Sequence, residues 1–343
     1  MGVNLRDITT VKHEVELKDL VGKKVAIDAY NAIMQFLSVI RQRDGTPLMD
    51  SKGNITSHLS GLFYRTSNLL KEGVLPCYVF DGEPPEFKKH TIEKRIERKE
   101  EAKKKYEEAK ARGAKEEMYI YAQQTAGIDE QIIKDSVRLL EAMGIPCIQA
   151  ATEGEAQCAY MCKVGDVDFS ASQDWDSLLF GSPRLVRNLN IVGKRKLPRK
   201  EVYVEIKPEI IYLNELLESL GINQEQLIIL GILVGTDYNP NGIKGIGPKK
   251  ALELVKKFKD PEKIMSQVNW EFEVDWRDIL KFFLNPKVNK KYKLKWGEFD
   301  EEKIKEVLCE EHDFSEERVE KAIREVEARK EARKQVDLSS FFK

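Results

Sequence analysis

Seven acidic residues hold most of the chemical interest of this 343-residue chain. Three aspartates follow short β-branched or aromatic runs: Asp28 after Lys-Val-Ala-Ile, Asp81 after Tyr-Val-Phe, and Asp174 after Phe-Ser-Ala-Ser-Gln. If those runs are parallel strands, the three acids share the carboxyl edge of one sheet, where open α/β sheets place their sites. Turn or cap chemistry explains any single one of them better than catalysis does, because Asp starts turns and accepts helix N–H groups. Three together, with Asp176 two residues beyond Asp174, favour convergence. Glu153 and Glu155 follow a fourth predicted strand in Ala-Thr-Glu-Gly-Glu-Ala. There, Thr152 with Glu155 three residues on also reads as a capping box that opens a helix. Asp237, in Gly-Thr-Asp-Tyr, stands where a helical region begins. Carboxylates crowded in this way repel one another unless cations neutralise them. An all-oxygen set without His or Cys selects Mg²⁺ or Mn²⁺ over zinc. Paired ions of that kind activate water and stabilise the leaving oxygen in phosphodiester cleavage. The four histidines (His13, His58, His90 and His312) adjoin no nucleophile motif, so a Ser/His/Asp or Cys/His mechanism has no support.

The elements that must position these acids are visible in the periodicity. Candidate strands at Lys24 to Ile27, Cys77 to Phe80, Pro146 to Ala150, Asp168 to Ser172 and Leu185 to Asn188 alternate with longer helical stretches. That alternation predicts an α/β fold built on a mainly parallel sheet with crossover helices. Phe87 to Lys115 interrupts it with a charged insertion; from Lys88 to Lys115 there are twelve Lys/Arg and six Asp/Glu. An edge hairpin is expected around Val202 to Ile206, followed by helices with Gly-rich punctuation at Gly242 to Gly247 and a charged helix from about Ser315 to Lys334.

Length and charge bound the rest. The chain is long enough for two units at roughly 100–200 residues per domain. With 57 Lys+Arg against 58 Asp+Glu, a net charge of -1 leaves nucleic-acid binding to local clusters of charge. No apolar run approaches the roughly 20 residues of a membrane span, and no signal-peptide layout opens the chain. Five cysteines without paired Cys-x-x-Cys spacing indicate free thiols rather than disulfides or zinc. The expected location is intracellular, the cytoplasm for an archaeal source and the nucleus for a eukaryotic one.

From its Met-Gly-Val start to its Phe-Phe-Lys end, the sequence resembles the structure-specific 5′ nucleases, most closely the archaeal and eukaryotic flap endonucleases. The resemblance rests on Val-Ala-Ile-Asp-Ala around Asp28, Tyr-Val-Phe-Asp-Gly-Glu-Pro-Pro around Asp81, Glu-Gly-Glu-Ala-Gln-Cys-Ala at Glu153 and Glu155, Ser-Gln-Asp-Trp-Asp at Asp174 and Asp176, and Gly-Thr-Asp-Tyr-Asn-Pro at Asp237. It implies a PIN-like 5′ nuclease core with a twisted sheet, an inserted helical arch and a C-terminal helical region carrying a helix-hairpin-helix. The implied division is 1–225 for the core, with the arch at about 84–128, then 226–334 for the DNA-binding helices and 335–343 for a tail. All seven acids match the family's positions for two Mg²⁺ ions, with Mn²⁺ substituting. Lys88 and Arg95 match its catalytic basic pair, and a seven-residue separation puts them two turns apart on one helix face. The implied activity is 5′ flap endonuclease with 5′ to 3′ exonuclease action, cleaving branched DNA in lagging-strand replication and base excision repair.

Further DNA contacts are implied at Gly2, Met34 and Arg41. Family members commonly carry a stacking tyrosine at the position of Met34, and methionine offers no aromatic face. The loop Arg41 to Asn54 matches the wedge on which the DNA bends. In Gly-Ile-Lys-Gly-Ile-Gly-Pro-Lys-Lys-Ala, Gly245 and Gly247 let backbone N–H groups approach a phosphate, and Lys249 and Lys250 add charge. A potassium ion at that hairpin is possible. Gln335, Leu338, Phe341 and Phe342 have the spacing of a sliding-clamp-binding peptide, which makes the clamp (PCNA) a partner of an otherwise monomeric, non-membrane protein. The rival readings are a non-catalytic clamp-associated protein that binds DNA junctions, and a related exonuclease or bubble-cutting endonuclease.

Overall fold

A computed structural model of the protein describes residues 2–42, 44–125, 127–191, 193–196 and 203–341. Each predicted apolar run becomes a strand. In chain order the strands are β1 (His13–Glu14), β2 (Lys24–Asp28), β3 (Leu75–Phe80), β4 (Cys147–Gln149), β5 (Phe169–Ala171), β6 (Arg184–Arg187), β7 (Gly193–Lys196), β8 (Tyr203–Ile206) and β9 (Glu209–Tyr212). Seven of them form one sheet in the order β1-β9-β6-β5-β2-β3-β4. The pairs β2·β3, β2·β5, β3·β4 and β5·β6 are parallel, while β9 pairs antiparallel with β6 and with β1. Five parallel strands therefore end on one rim. The hairpin expected near Val202 to Ile206 is not an edge of this sheet: among the described residues β7 and β8 pair only with each other, and the sheet's edge strands are β1 and β4. Val202 itself lies outside the described residues.

Helices α1 (Ala29–Val39) and α2 (Ser57–Lys71) follow β2; α3 (Lys89–Ala111) and α4 (Lys115–Gln124) make up the charged insertion; α5 (Glu130–Ala142), α6 (Gly154–Lys163) and α7 (Asp176–Leu179) interleave with β4 and β5. After β9 come α8 (Leu213–Leu220), α9 (Gln224–Val234), α10 (Pro248–Phe258), α11 (Pro261–Met265), α12 (Trp276–Leu284), α13 (Glu301–Lys305) and α14 (Glu316–Phe341).

Two apolar layers sandwich the sheet. On one side Val25, Ile27 and Phe80 meet Ile33 and Phe36 of α1, Leu62 and Phe63 of α2, and Leu139 of α5. On the other, Leu185 and Ile211 meet Leu178 of α7, Ile228 to Leu230 of α9, and Phe283 of α12. The helical second half is divided between these layers. The helices α8 to α12 stay on the second, whereas Ile304, Val307 and Leu308 with Val319, Ile323 and Val326 of α14 return to the first. Two ties fix that return: Lys71 pairs with Glu325 at 2.6 Å, and Arg333 donates to the Leu70 and Lys71 carbonyls at the end of α2. No single described helix is long and apolar enough to cross a membrane.

Candidate active site

The rim of the parallel strands is where the acids meet. Asp28 is the last residue of β2 and caps α1, accepting from the Asn31 N–H at 3.0 Å. Asp81 follows β3 and accepts from the Gly154 N–H at 2.7 Å. Glu153 and Glu155 open α6, and Glu155 accepts from the Ser172 hydroxyl at 2.7 Å. Asp174 and Asp176 follow β5; the Asn31 side-chain amide donates to Asp174 at 3.1 Å, and the Val3 N–H donates to Asp176 at 2.8 Å. Asp237 comes just after α9, and the Lys88 ammonium joins it to the others, 3.8 Å from Asp237 and 2.5 Å from Glu153. The expected capping box does not form. Thr152 donates instead to the Lys287 carbonyl, and Glu153 occupies the cap position without a side-chain cap bond, so both glutamates face the other acids.

Electrostatics records the crowding. Burial, then Asp81, pushes the Asp28 carboxyl well above the usual carboxylate range. Burial, then Asp176, Asp28 and Asp174, does the same to Glu155. Asp176 is pushed up to about 8 by burial and by Asp237 and Asp174, and burial also raises Asp174. Glu153 rises despite its Lys88 partner, because burial and the neighbouring Asp81 and Asp237 outweigh the ion pair. Each of these five is thus disfavoured as an anion by burial and by neighbouring acids, the signature of a site that calls for cations.

The donor set fits a hard divalent ion: seven carboxylates within mutual influence and no imidazole among them. Backbone crowds in to complete the cradle. A Cβ added at Gly2 would lie 2.7 Å from the Asp174 Cβ and 2.8 Å from Asp176 Oδ2, and one at Gly154 would lie 2.9 Å from Asp81 Oδ1. Glycine is therefore required at both places for the chain to pass this close to the acids. Among the described residues, no three His, Cys, Asp or Glu side chains are already arranged to hold an ion; their oxygens are engaged by N–H groups, Ser172, Asn31 and Lys88.

Comparison with known proteins gives the chain a family. Residues 1–102 match the XPG N-terminal domain and residues 144–237 the XPG I-region, spans that between them contain all seven acids. Flap endonuclease 1 of Pyrococcus furiosus is 59% identical over 343 residues, covering 100% of both chains. The Pyrococcus horikoshii protein of the same name is 58% identical, covering 100% of this chain and 98% of its own. The chain belongs to the flap endonuclease family. Among solved structures, flap endonuclease-1 from Methanococcus jannaschii superposes with a TM-score of 0.74 at 40% identity, covering 95% of this chain and 98% of that one. The catalytic core of Rad2 in complex with DNA substrate shares the fold, with a TM-score of 0.68 at 24% identity over 95% of this chain and 100% of that one.

Beside the acidic rim, the basic insertion stands as an antiparallel helical pair, α3 and α4, turned at Gly113 (φ 68°). Lys88 is not inside the helix as its spacing from Arg95 suggested; it ends a 3-10 turn (Glu86–Lys88) and caps α3. The Arg95 backbone lies in α3, and its side chain lies outside the described residues. Met34 is exposed on α1, 37% accessible, whereas Tyr30, one turn earlier, is half-buried and feels both Asp81 and Asp28. Arg41 is tied into the loop from Arg41 to Asn54 by a bond to the Gly45 carbonyl at 2.8 Å. In the hairpin between α9 and α10, Gly245 takes φ +77° and Gly247 caps α10; a Cβ at either would meet open space, leaving both backbones accessible. Lys249 and Lys250 begin α10 as exposed side chains. Of the tail residues, Gln335, Leu338 and Phe341 fall within the backbone of α14, while their side chains and the whole of Phe342 lie outside the described residues. The sequence reading missed Asn31 and Ser172, which brace the acids. Asn31 was detectable in principle, three residues past a strand-ending aspartate, where an N-capped helix puts its third residue.

Proposed function

We propose that this protein is a metal-dependent flap endonuclease that cuts branched DNA near the base of a single-stranded 5′ flap. The observation that carries the reading is the convergence of Asp28, Asp81, Glu153, Glu155, Asp174, Asp176 and Asp237 on one rim, with Lys88 reaching in from the base of the helical pair. Those seven acids would hold two Mg²⁺ ions, which when bound supply an activated water and stabilise the leaving oxygen. The chain's own residues do the rest. Asn31 and Ser172 fix the acids, Gly2 and Gly154 admit the backbone, and Lys88 with Arg95 would neutralise the scissile phosphate. Gly245, Gly247, Lys249 and Lys250 would grip duplex backbone without reading sequence, with K⁺ at the turn. Met34 and Arg41 would face the bent junction, and Gln335, Leu338, Phe341 and Phe342 would engage a sliding clamp. Shape, a bent junction with an unpaired strand, would give the specificity.

One labelled panel of flap, nick, bubble and hairpin substrates, with and without Mg²⁺, tests this. The expected result is Mg²⁺-dependent cleavage concentrated on the flap. Preference for the bubble or for stepwise removal from a nick would assign the chain to a different branch of the nuclease superfamily. No cleavage of any substrate would leave a junction-binding protein.

A further inference from the structure

We propose that Lys88 is a built-in counter-cation of the acidic rim: without DNA its ammonium holds Glu153 and Asp237, and it releases them when a substrate phosphate accepts it, so metal affinity and DNA binding are coupled through one side chain. The proposal rests on the metal-site reading above and adds a route by which that site is guarded and loaded.

The placement of Lys88 is not that of a loose surface lysine. Its backbone N–H donates to the Pro85 carbonyl at 2.8 Å, closing the turn that precedes α3. Phe87 beside it is wedged edge-on against Tyr238 and Phe282, with ring centres 5.2 and 5.4 Å apart. Tyr238 follows Asp237 in the chain, so the same aromatic contact that anchors the lysine also anchors one of its acids. The Lys88 side chain is 9% exposed, and those of Glu153 and Asp237 are 12% and 17% exposed. Water therefore screens these charges poorly, and an ammonium 2.5 Å from one carboxylate competes directly with any cation for it.

A divalent ion that uses Glu153 must dislodge the ammonium. Left buried without a partner, the ammonium would be costly, so the exchange becomes favourable when a phosphate oxygen takes the lysine over. Coupling of this kind is reciprocal: DNA that removes Lys88 from Glu153 tightens metal binding, and metal that displaces Lys88 tightens DNA binding. A fixed positive charge near the site would behave differently, weakening metal binding by one factor whether or not DNA is present.

The test is Mn²⁺ titration of the full-length protein by electron paramagnetic resonance, with and without a flap oligonucleotide whose scissile linkage cannot be hydrolysed. Wild type is compared with Lys88→Met, or Lys88→Ala should the first variant fold poorly, and with Lys88→Arg and Asp174→Ala. Without DNA, Lys88→Met should bind Mn²⁺ roughly tenfold more tightly than wild type, a shift of about 1.4 kcal/mol. With DNA bound, the two should agree within about twofold. Lys88→Arg, which keeps the charge and can still hold Glu153, should stay near wild type. Equal affinities without DNA, an equal gain in both states, or an arginine variant as tight as the methionine variant would each overturn the latch. Wild type and Asp174→Ala binding Mn²⁺ alike would overturn the metal-site reading itself, a result separable from failure of the latch alone.

Discussion

Asp176 and Asp50 are both buried aspartates, and the protein drives them in opposite directions. Asp176 receives one N–H, from Val3, and faces Asp237 and Asp174; burial and those neighbours push it up to about 8. Asp50, in the loop between α1 and α2, receives the Lys52 and Asn54 N–H groups at 3.0 and 2.8 Å, the Asn54 amide at 2.8 Å and His312 Nδ1 at 2.9 Å. Burial works against its charge too, but the Asn54, His312 and Lys52 hydrogen bonds prevail and hold it down to about 2. One residue type in one chain is thus stabilised as an anion where donors surround it and destabilised where other acids do. The Asp50 cluster fastens this loop to the segment before α14, aided by the Ser51 N–H donating to Asp313 at 2.6 Å and Lys52 donating to the Glu311 carbonyl at 3.3 Å. The rim sacrifices stability to hold a charge that only cations complete; the fastener spends nothing of the kind.

The contrast can be broken most forcefully at the rim. Asp174→Ala should lower flap cleavage by about 10²–10³-fold or more, the order expected when charge stabilisation at the reacting centre is lost. Binding of the same flap DNA should persist, as measured by anisotropy. Cleavage at the wild-type rate would remove Asp174 from the site.

At the fastener, Asp50→Ala should cost about 3 kcal/mol in denaturant unfolding, since several buried donors lose their acceptor. Cleavage per folded molecule at low temperature should change far less than in the Asp174 variant. A loss of activity without a loss of stability would mean that this region takes part in the chemistry.

The smallest effect has the opposite sign. A carboxyl whose folded pKa is raised contributes stability below its unfolded value, near 4, and loses it as pH climbs through the folded value, about 8 for Asp176. Asp176→Asn should therefore raise the melting temperature in EDTA at pH 8 by a few degrees, and the gain should vanish near pH 4. A variant less stable than wild type at pH 8 would show that Asp176 is not under like-charge strain.

The rim was legible in the sequence for a definite reason. The runs before Asp28 and Asp81 are apolar enough to be strands on sight, Phe-Ser-Ala-Ser-Gln before Asp174 is a weaker signal by itself, and strands paired in parallel point their carboxyl ends to the same side. What escaped was set by contacts distant in the chain. Thr152 had a local cap available, yet it bonds to Lys287. The strand β1 is two residues long and exists only because β9 lies beside it. His312 stands 262 residues from Asp50, and no pattern in either segment advertises the pair. The return of α14 to the first layer was equally hidden, because its buried residues Val319, Ile323 and Val326 are sparse among charges.

The stabilisation given by Mg²⁺ as a function of pH, measured as the melting temperature with Mg²⁺ minus that in EDTA, tests most directly that the seven acids form one cation-requiring cluster. Taking the difference cancels groups remote from the rim, such as His58, whose buried imidazole is pushed down to about 3. The difference should be smallest at pH 4, where protons compete best with Mg²⁺ for the raised carboxyls, and should grow steadily to pH 8 as Asp176, pushed up to about 8, ionises and needs neutralising. A difference that is absent, or the same at every pH, would contradict the account.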